Sequence, residues 1–235
     1  MADEFKPGDV ISYMEMCSTV CVNLQRGMNY RLNGRESVIL MSIRPGAPYA
    51  DRIEDDGRIL IYEGHDCAKT AAVPDPKRVD QPEVNPGGSL TQNGLFAQSA
   101  RQHKAGDSHP EKVTVFEKIR SGIWVYNGIF ELVDCWTETS GLRRVFKFKL
   151  RISGEDDYIR PTTVSSTEED DRLIPSWVKL EVWRRDRGKC RKCGTNTGLH
   201  FDHIIPYSKG GSSKDPSNIQ ILCGRHNLQK HDKIE

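Results

Sequence analysis

The stretch CRKCGTNTGLHFDHIIPYSKGGSSKDPSNIQILCGRHNLQK, residues 190–230, decides how the chain is organised. It contains two pairs of metal-binding residues, Cys190-x-x-Cys193 and Cys223-x-x-His226. Each pair places two ligands on one tight turn, and thiolates together with an imidazole suit a tetrahedral zinc ion. Because four protein ligands leave no open position, we predict a structural zinc whose binding helps this short segment to fold.

A dipeptide of different chemistry, Asp202-His203, lies between the two pairs. With its neighbours it gives residues 177–234 a resemblance to the HNH endonuclease family. The matching residues are Asp202-His203, Gly210-Gly211, Asn218, Leu222-Cys223, Asn227 and Lys230. The resemblance implies a small ββα-metal fold, in which two strands and a helix surround a metal ion, and it implies cleavage of phosphodiester bonds.

The resemblance also implies a role for each of these polar residues. His203 would be the general base that takes a proton from the attacking water, a task that suits an imidazole. Asp202 and Asn227 would hold a divalent ion, Mg²⁺ or Mn²⁺, which stabilises charge on the phosphate and on the leaving oxygen. Asp202 is expected on the face of the strand opposite His203, because adjacent side chains point apart. Asn218 would orient His203 and its loop, and Lys230 is expected to contact a phosphate.

The chain departs from the family pattern at two neighbouring positions. Asn227 stands where the family usually has its third histidine, and an amide oxygen is still a ligand for a hard cation. His226 stands where the fourth zinc ligand is usually a cysteine. An alternative is therefore open, in which His226 is the catalytic third histidine and the zinc is three-coordinate or absent.

The N-terminal two thirds of the chain has the pattern of a β-rich domain. Residues 37–61 predict a hairpin with a long polar loop that contains a tyrosine, and Ser89 is a candidate N-cap for a helix. Three further strands are predicted at residues 113–119, 122–136 and 143–152. The last contains VFKFKLRI, in which apolar and basic residues alternate, as expected for a strand with one buried face.

The order of these features resembles the SRA domain family, whose members read modified cytosine in DNA. The segments that carry the resemblance are PYADRIEDDGRILIYEG (48–64), DQPEVNPGGSLTQNGLFAQS (80–99), VTVFEKI (113–119), WVYNGIFELVDCW (124–136) and GLRRVFKFKL (141–150). The resemblance implies a PUA-like twisted β-barrel with flanking helices. Such a domain flips one base out of the duplex into a pocket. The stacking and hydrogen bonds in this pocket must offset the free energy lost on unstacking the base.

The same resemblance implies the residues of a base pocket. Tyr49 and Tyr62 occupy positions of stacking aromatic residues, and an acid between them would accept a hydrogen bond from the cytosine amino group. Asp51 is the first choice for this acid and Asp55 the second, because the loop between the tyrosines is one residue longer than the family pattern. In the alternative interpretation the tyrosines are core aromatics and Asp51 is a solvated loop residue.

Composition and charge place limits on the class of protein. The net charge of the 235 residues is +1, but from Pro175 onward 12 Lys and Arg residues face 6 Asp and Glu residues, so a polyanion would dock at this end. Residues 154–174 are acidic and poor in apolar side chains, which indicates a linker. Three of the seven cysteines have metal-ligand spacing, and we expect the other four in the core of a reduced protein. The chain shows no signal peptide or membrane-spanning run, so we expect a cytoplasmic protein. The two resemblances together imply a prokaryotic one, of the kind used against foreign methylated DNA.

These observations predict an α+β protein with an SRA-like domain at residues 1–153, a linker at 154–174 and a zinc-containing HNH domain at 175–235. The predicted function is cleavage of double-stranded DNA that carries 5-methylcytosine or a related base, as in a type IV-like restriction enzyme. Because each chain has one predicted nuclease site, we expect a homodimer on DNA. Two alternatives stay open: an HNH nicking or homing-type nuclease indifferent to methylation, and a methyl-DNA-binding protein without catalysis.

Overall fold

The computed structural model describes residues 5–24, 26–55, 58–153, 174–231 and 233–234. The strands in these residues are β1 (Val10–Ser12), β2 (Met28–Asn29), β3 (Ser37–Met41), β4 (Arg52–Glu54), β5 (Ile59–Glu63), β6 (Glu111–Arg120), β7 (Ile123–Ser140), β8 (Arg143–Ile152), β9 (Leu199–His203) and β10 (Ile219–Cys223). The α-helices are α1 (Tyr13–Val20), α2 (Gln92–Lys104), α3 (Ser176–Arg185) and α4 (Gly224–Lys230). The mixture of strands and helices confirms the predicted α+β class.

One large sheet forms the N-terminal domain, which we define as the described residues 5–153. Its strands follow the order β2-β3-β6-β7-β8-β5-β4, and β1 pairs separately with β7. Helix α2 packs on this sheet and buries Phe96 completely, while Val115, Phe130 and Phe148 of the central strands are also fully buried in the same apolar cluster. The three long strands β6, β7 and β8 therefore supply one wall of the core and the helix supplies the other.

The structure corrects the predicted hairpin at residues 37–61. Strand β3 pairs in parallel with β6, and the hairpin is formed instead by the shorter strands β4 and β5. The N-cap of α2 is Thr91 rather than Ser89, and the hydroxyl of Thr91 accepts a hydrogen bond from the amide of Gly94. Sheet neighbours far apart in sequence leave no local pattern, so a prediction based on adjacent β-rich runs pairs the wrong two strands.

The alternating strand β8 also differs from its expected one-sided burial. Its Lys147 is only 1% exposed, although the alternation places basic residues on the solvent side. The ammonium group lies 2.9 Å from the carboxylate of Glu63 on the neighbouring strand β5. The ion pair compensates the charge of each partner, which permits burial of a lysine in a position that the pattern assigns to solvent.

The C-terminal domain comprises the described residues 174–231 and 233–234. Strands β9 and β10 form an antiparallel pair, and α4 starts directly at the end of β10, which confirms the predicted arrangement of two strands and a helix. The predicted linker lies outside the described residues except for Ile174, which packs in the C-terminal core. Of the four cysteines expected in the core, Cys17 is buried and Cys67 and Cys135 are half-buried, but Cys21 is exposed, so the prediction is wrong for Cys21. None of the described helices has the length and hydropathy that a membrane crossing requires.

Candidate functional site

Three thiols and one imidazole meet beside the two C-terminal turns. Cys190 and Cys193 follow α3, whereas Cys223 ends β10 and His226 lies in the first turn of α4. The ligand atoms of these four residues all lie within 4.8 Å of one another. The strand pair brings the two turns together, because Cys223 lies opposite Leu199 in the register of β9 and β10.

The distances within this cluster match a tetrahedral zinc site. The Sγ atoms of Cys193 and Cys223 are 3.8 Å apart, and His226 Nδ1 lies 3.3 Å from the Sγ atoms of Cys190 and of Cys223. Zinc–sulfur bonds of about 2.3 Å in a tetrahedron require sulfur atoms about 3.8 Å apart. The four residues therefore form a Cys₃His cluster that fits zinc. The position of His226 among these thiols favours its role as the fourth zinc ligand over the alternative of a catalytic histidine.

His203 is the last residue of β9, and its ring is half-buried. Its Nε2 atom lies 2.8 Å from the hydroxyl of Ser213, a buried residue of the following loop. Burial of the ring, followed by the charge of Lys230, lowers the pKa of His203 to about 4. The imidazole is therefore neutral near pH 7 and can accept a proton.

Asn218 organises the loop that carries Ser213. Its Oδ1 atom accepts a hydrogen bond from the amide of Ile205, and its Nδ2 atom donates to the carbonyl oxygens of Ile205 and Ser212. The side chain thus ties both ends of the loop together, and the direct contact with His203 comes from Ser213. Gly211 fits this loop because a Cβ atom there would lie 1.8 Å from the carbonyl oxygen of Ile205.

Asp202 and Lys230 face each other across the end of the same small domain. The ammonium group of Lys230 lies 3.2 Å from the Asp202 carboxylate, and Lys230 is only 1% exposed. Gln220, directly opposite Asp202 on β10, also approaches this carboxylate, at 3.4 Å. The structure therefore places the predicted phosphate-binding lysine inside the domain, next to the predicted metal ligand.

A cavity of about 310 Å³, which we call the C-terminal cavity, collects most of these groups. Its walls include Asp202, His203, Tyr207, Lys230, Gly8 and Lys179. Asp202 and His203 thus border one space, although adjacent residues of a strand point apart. Asn227 is half-buried on α4 and is not among the residues that line this cavity. An acid, a neutral imidazole and an ammonium group around one space are a suitable set for binding and hydrolysing a phosphodiester.

A second cavity of about 500 Å³, the N-terminal cavity, opens in the N-terminal domain. Its walls include Arg44, Tyr49, Asp51, Glu63, Lys77 and Arg143. Tyr62, by contrast, is 3% exposed and does not line the cavity in the described structure. The predicted pocket residues Tyr49 and Asp51 therefore border one space, with Tyr62 behind it in the core.

Asp51 is held rigidly at the N-terminal cavity. Its two carboxylate oxygens accept hydrogen bonds from the amides of Ser42 and Glu63, each at 3.0 Å. Burial raises the pKa of Asp51 to about 6, an effect that these amides oppose. Asp55, the second choice from sequence, lies at the exposed end of the β4–β5 hairpin, where its side chain is 62% exposed. Of the two acids, the structure thus places Asp51 at the cavity.

Two residues that the sequence analysis did not select join the predicted tyrosines. His65 stacks on Tyr49 and lies 3.0 Å through Nε2 from the hydroxyl of Tyr62. Asn93 fixes the backbone of His65 through two hydrogen bonds of 2.8 Å. The adjacent sequence Tyr62-Glu63-Gly64-His65 was a possible signal, because two aromatic rings three residues apart flank a glycine.

Glu63 is one of several charged groups at this cavity that were not predicted from the sequence. Its carboxylate lies 3.3 Å from Arg143 and 2.9 Å from Lys147, and it accepts a hydrogen bond from the amide of Ala50. All three charged side chains are at most 4% exposed. This buried network fixes the wall of the cavity next to Asp51.

Residues 190–233 match the family model of the HNH endonuclease. No curated protein sequence matches the chain significantly. Among solved structures, the chain is similar to the SUVH5 SRA domain in complex with fully methylated CG DNA, at 26% identity and a TM-score of 0.46, over 70% of this chain and 97% of that chain. It is also similar to the SUVH5 SRA domain bound to fully hydroxymethylated CG DNA, at 26% identity and a TM-score of 0.43, over 69% and 92%. A third similar structure is Arabidopsis thaliana SUVH6 in complex with SAM, at 19% identity and a TM-score of 0.41, over 86% and 32%.

Proposed function

We propose that this chain, whose residues 190–233 form an HNH endonuclease domain, cuts double-stranded DNA that carries 5-methylcytosine or a related modified cytosine. The observation that supports the proposal is the presence of two separate polar cavities in one chain. The C-terminal cavity has the residues for hydrolysis, and the N-terminal cavity has an aromatic ring beside a fixed carboxylate. A ring and an acceptor are the groups that hold a flipped base and bind its amino group.

In this proposal the C-terminal domain performs the hydrolysis. His203 takes the proton from the attacking water, and Ser213 holds the ring through its Nε2 atom. Asp202 and Asn227 would bind a divalent ion, Mg²⁺ or Mn²⁺, which supplies stabilisation of the charge on the phosphate and the leaving oxygen. The carboxylate of Asp202 fits this purpose because it borders the cavity and offers an oxygen ligand to a hard cation, although the ion would have to displace the ammonium group of Lys230.

The N-terminal domain selects the DNA. A flipped base that enters the N-terminal cavity stacks on Tyr49, and its amino group donates to Asp51. A 5-methyl group that enters an apolar space adds about 1–3 kcal/mol of preference over the plain base. Because one chain has a single HNH match, cutting both strands requires two chains or two successive events, and we propose that two chains assemble on the duplex.

The test compares plasmids that differ only in 5-methylcytosine or 5-hydroxymethylcytosine, with Mg²⁺ or Mn²⁺ added. Cleavage of the modified plasmid alone supports the proposal, and equal cleavage of both plasmids identifies a nuclease indifferent to modification. His203→Ala is expected to abolish cleavage and to retain binding of the modified duplex. His103→Ala, at a half-buried histidine of α2 that is not among the described lining residues of either cavity, is the matched control and is expected to cut normally. Binding without any metal-dependent cleavage by the wild type would identify a binding protein instead.

A further inference from the structure

The two domains are joined by a buried polar cluster. The ammonium group of Lys179, on α3, lies 3.3 Å from the carboxylate of Glu117 on β6 and donates a hydrogen bond of 2.6 Å to Asn127 on β7. Asn127 in turn donates to Glu117 at 3.1 Å. Each of the three residues is at most 1% exposed. Removal of one partner alone would leave an uncompensated buried charge, so the three residues form one interdependent contact between the domains.

Apolar residues surround this cluster and continue the contact. Ile119 and Val125 belong to the N-terminal sheet, yet they are buried in the same apolar cluster as Val178, Val182 and Phe201 of the C-terminal domain. A shared core is typical of a permanent contact, because its separation exposes apolar surface to water on both sides. The cluster therefore connects the domains in addition to the chain between them.

The N-terminal segment forms a third connection through backbone hydrogen bonds. The Gly8 amide donates to Tyr126 on β7, while the Gly8 carbonyl oxygen accepts from the amide of Phe201 on β9. The next residue, Asp9, lies with its carboxylate 2.7 Å from the ring of His200. This segment thus lies between a strand of the N-terminal sheet and a strand of the C-terminal pair, and it is hydrogen-bonded to both.

The same contacts reach the residues proposed for hydrolysis. Gly8 and Lys179 line the C-terminal cavity together with Asp202 and His203. A displacement of the C-terminal domain would therefore change the walls of its own cavity. The position of the domain and the shape of the cavity depend on the same residues.

We infer that the two domains act as one rigid body, in which Lys179, Glu117 and the Gly8–Asp9 segment are positioning residues that fix where the DNA is cut. This inference rests on the proposed function. Because the distance between the N-terminal cavity and the C-terminal cavity is fixed, cleavage falls at one distance from the modified base. The length of the chain between residues 153 and 174 does not determine that distance.

The first experiment maps the cut positions on an end-labelled duplex that contains a single 5-methylcytosine. The wild type is expected to cut each strand within a narrow window, and a glycine-serine insertion after Thr163 leaves that window unchanged. The double variant Asp9→Ala, Glu117→Ala is expected to spread the cuts to neighbouring phosphodiesters. Neither substituted residue lines the C-terminal cavity in the described structure. The substitutions are therefore expected to change the positions of the cuts rather than the rate of cleavage.

Glu131→Ala is the matched control for this experiment. Glu131 is also a carboxylate of the N-terminal sheet, and it pairs with Arg151 at 3.1 Å, away from the C-terminal domain. The Glu131→Ala variant is expected to cut each strand within the same narrow window as the wild type. An insertion that shifts or broadens the cuts as much as the Asp9 and Glu117 substitutions would overturn the inference, and so would a broad window in the wild type.

A second measurement, hydrogen exchange without DNA, separates failure of this inference from failure of the proposed function. The amides of Gly8 and Phe201 are expected to exchange as slowly as those of the central strand β7, because both donate across or beside the domain contact. Fast exchange at these two amides in the wild type would refute the rigid arrangement, whatever the DNA result. Slow exchange with no cleavage of any modified DNA would refute the proposed function and leave the rigid arrangement intact.

Discussion

The imidazole of His65 stacks on the ring of Tyr49, with ring centroids 5.4 Å apart and ring planes inclined by 17°. The same imidazole reaches the hydroxyl of Tyr62, so one histidine connects both tyrosines that the sequence assigns to the base pocket. Gly27 leaves room for this contact, since a Cβ atom there would lie 2.9 Å from the Tyr62 hydroxyl. His65 thus links Tyr49, at the wall of the N-terminal cavity, to Tyr62 in the core behind it, and this link was not predicted from the sequence.

The burial of His65 predicts a pH dependence of the free energy of unfolding. Burial lowers the pKa of His65 to about 4, below the ordinary value of 6.5, so between these values the unfolded chain binds a proton that the folded chain does not. The contribution of the neutral His65 to the free energy of unfolding is fully present above pH 6.5 and is lost as the pH falls towards 4. We expect His65 to account for about 3 kcal/mol of that loss at most. Denaturant unfolding of wild type and His65→Gln across this window measures the difference.

His103→Gln serves as the control for this pH series. His103 is half-buried on α2 and its ring contacts the carbonyl oxygen of Ser108 rather than either tyrosine, so its replacement is expected to leave the pH dependence as it is in the wild type. Parallel stability curves for wild type and His65→Gln would show that His65 carries a proton equally in both states, contrary to the prediction.

Asp51 and Asp55 offer a direct test of which acid reads the base. Asp51 borders the N-terminal cavity, while Asp55 lies at the exposed end of a hairpin. Loss of a hydrogen bond to a charged group costs about 1.5–3 kcal/mol, so Asp51→Asn is expected to reduce the affinity for a modified duplex about tenfold or more. Asp55→Asn is expected to bind as the wild type does. Titration of both variants with matched modified and unmodified duplexes checks this.

Thermal melting accompanies the titration, because Asp51 also accepts hydrogen bonds from two amides. A variant that melts normally and still prefers modified DNA would remove Asp51 from the reading role. The opposite result, a loss in Asp55→Asn alone, would assign that role to the second acid.

The Cys₃His cluster predicts one zinc per chain and a strong dependence of folding on it. Structural zinc contributes about 10–16 kcal/mol in small zinc peptides near neutral pH. Cys223→Ser is therefore expected to lose the metal and to lower the melting temperature, also for the N-terminal sheet, since Cys223 shares an apolar cluster with Ile119 and Val125. Cys21→Ser, at an exposed cysteine, should keep both zinc and stability. Elemental analysis and melting curves would contradict the prediction if Cys223→Ser retained a full zinc content.

Ser213 is expected to act on the rate through the orientation of His203. Ser213→Ala removes the hydroxyl that lies 2.8 Å from Nε2, and misplacement of a catalytic group can cost up to about 100-fold. We expect a lower kcat with unchanged DNA binding, and recovery in Ser213→Thr, which restores a hydroxyl. The neighbouring Ser212→Ala is the control, because the hydroxyl of Ser212 accepts a hydrogen bond from the amide of Lys214 and not from His203. Single-turnover cleavage measures the effect, and a normal rate in Ser213→Ala would exclude this role.

The elements that could be predicted without a structure are those whose signals are local. The spacing of Cys190, Cys193, Cys223 and His226 was sufficient to predict the metal cluster, because each pair needs only one tight turn. The long strands β6 to β8 and the helix α3 were also readable, since alternation and apolar periodicity are properties of neighbouring residues. The dipeptide Asp202-His203 was identified in the same way, through its place in a short motif.

Contacts between residues that are far apart in the sequence could be identified only from the three-dimensional structure. The parallel pairing of β3 with β6, the burial of Lys147 against Glu63 and the contact of His65 with Tyr49 all join residues whose partner leaves no trace in the local pattern. The contact between the domains is the clearest case. Lys179 and Glu117 are an ordinary lysine and an ordinary glutamate in the sequence, and only the packing of α3 on the large sheet buries them as a pair. Burial in a low-dielectric interior makes that pairing obligatory, because each charge would otherwise lose its hydration without compensation.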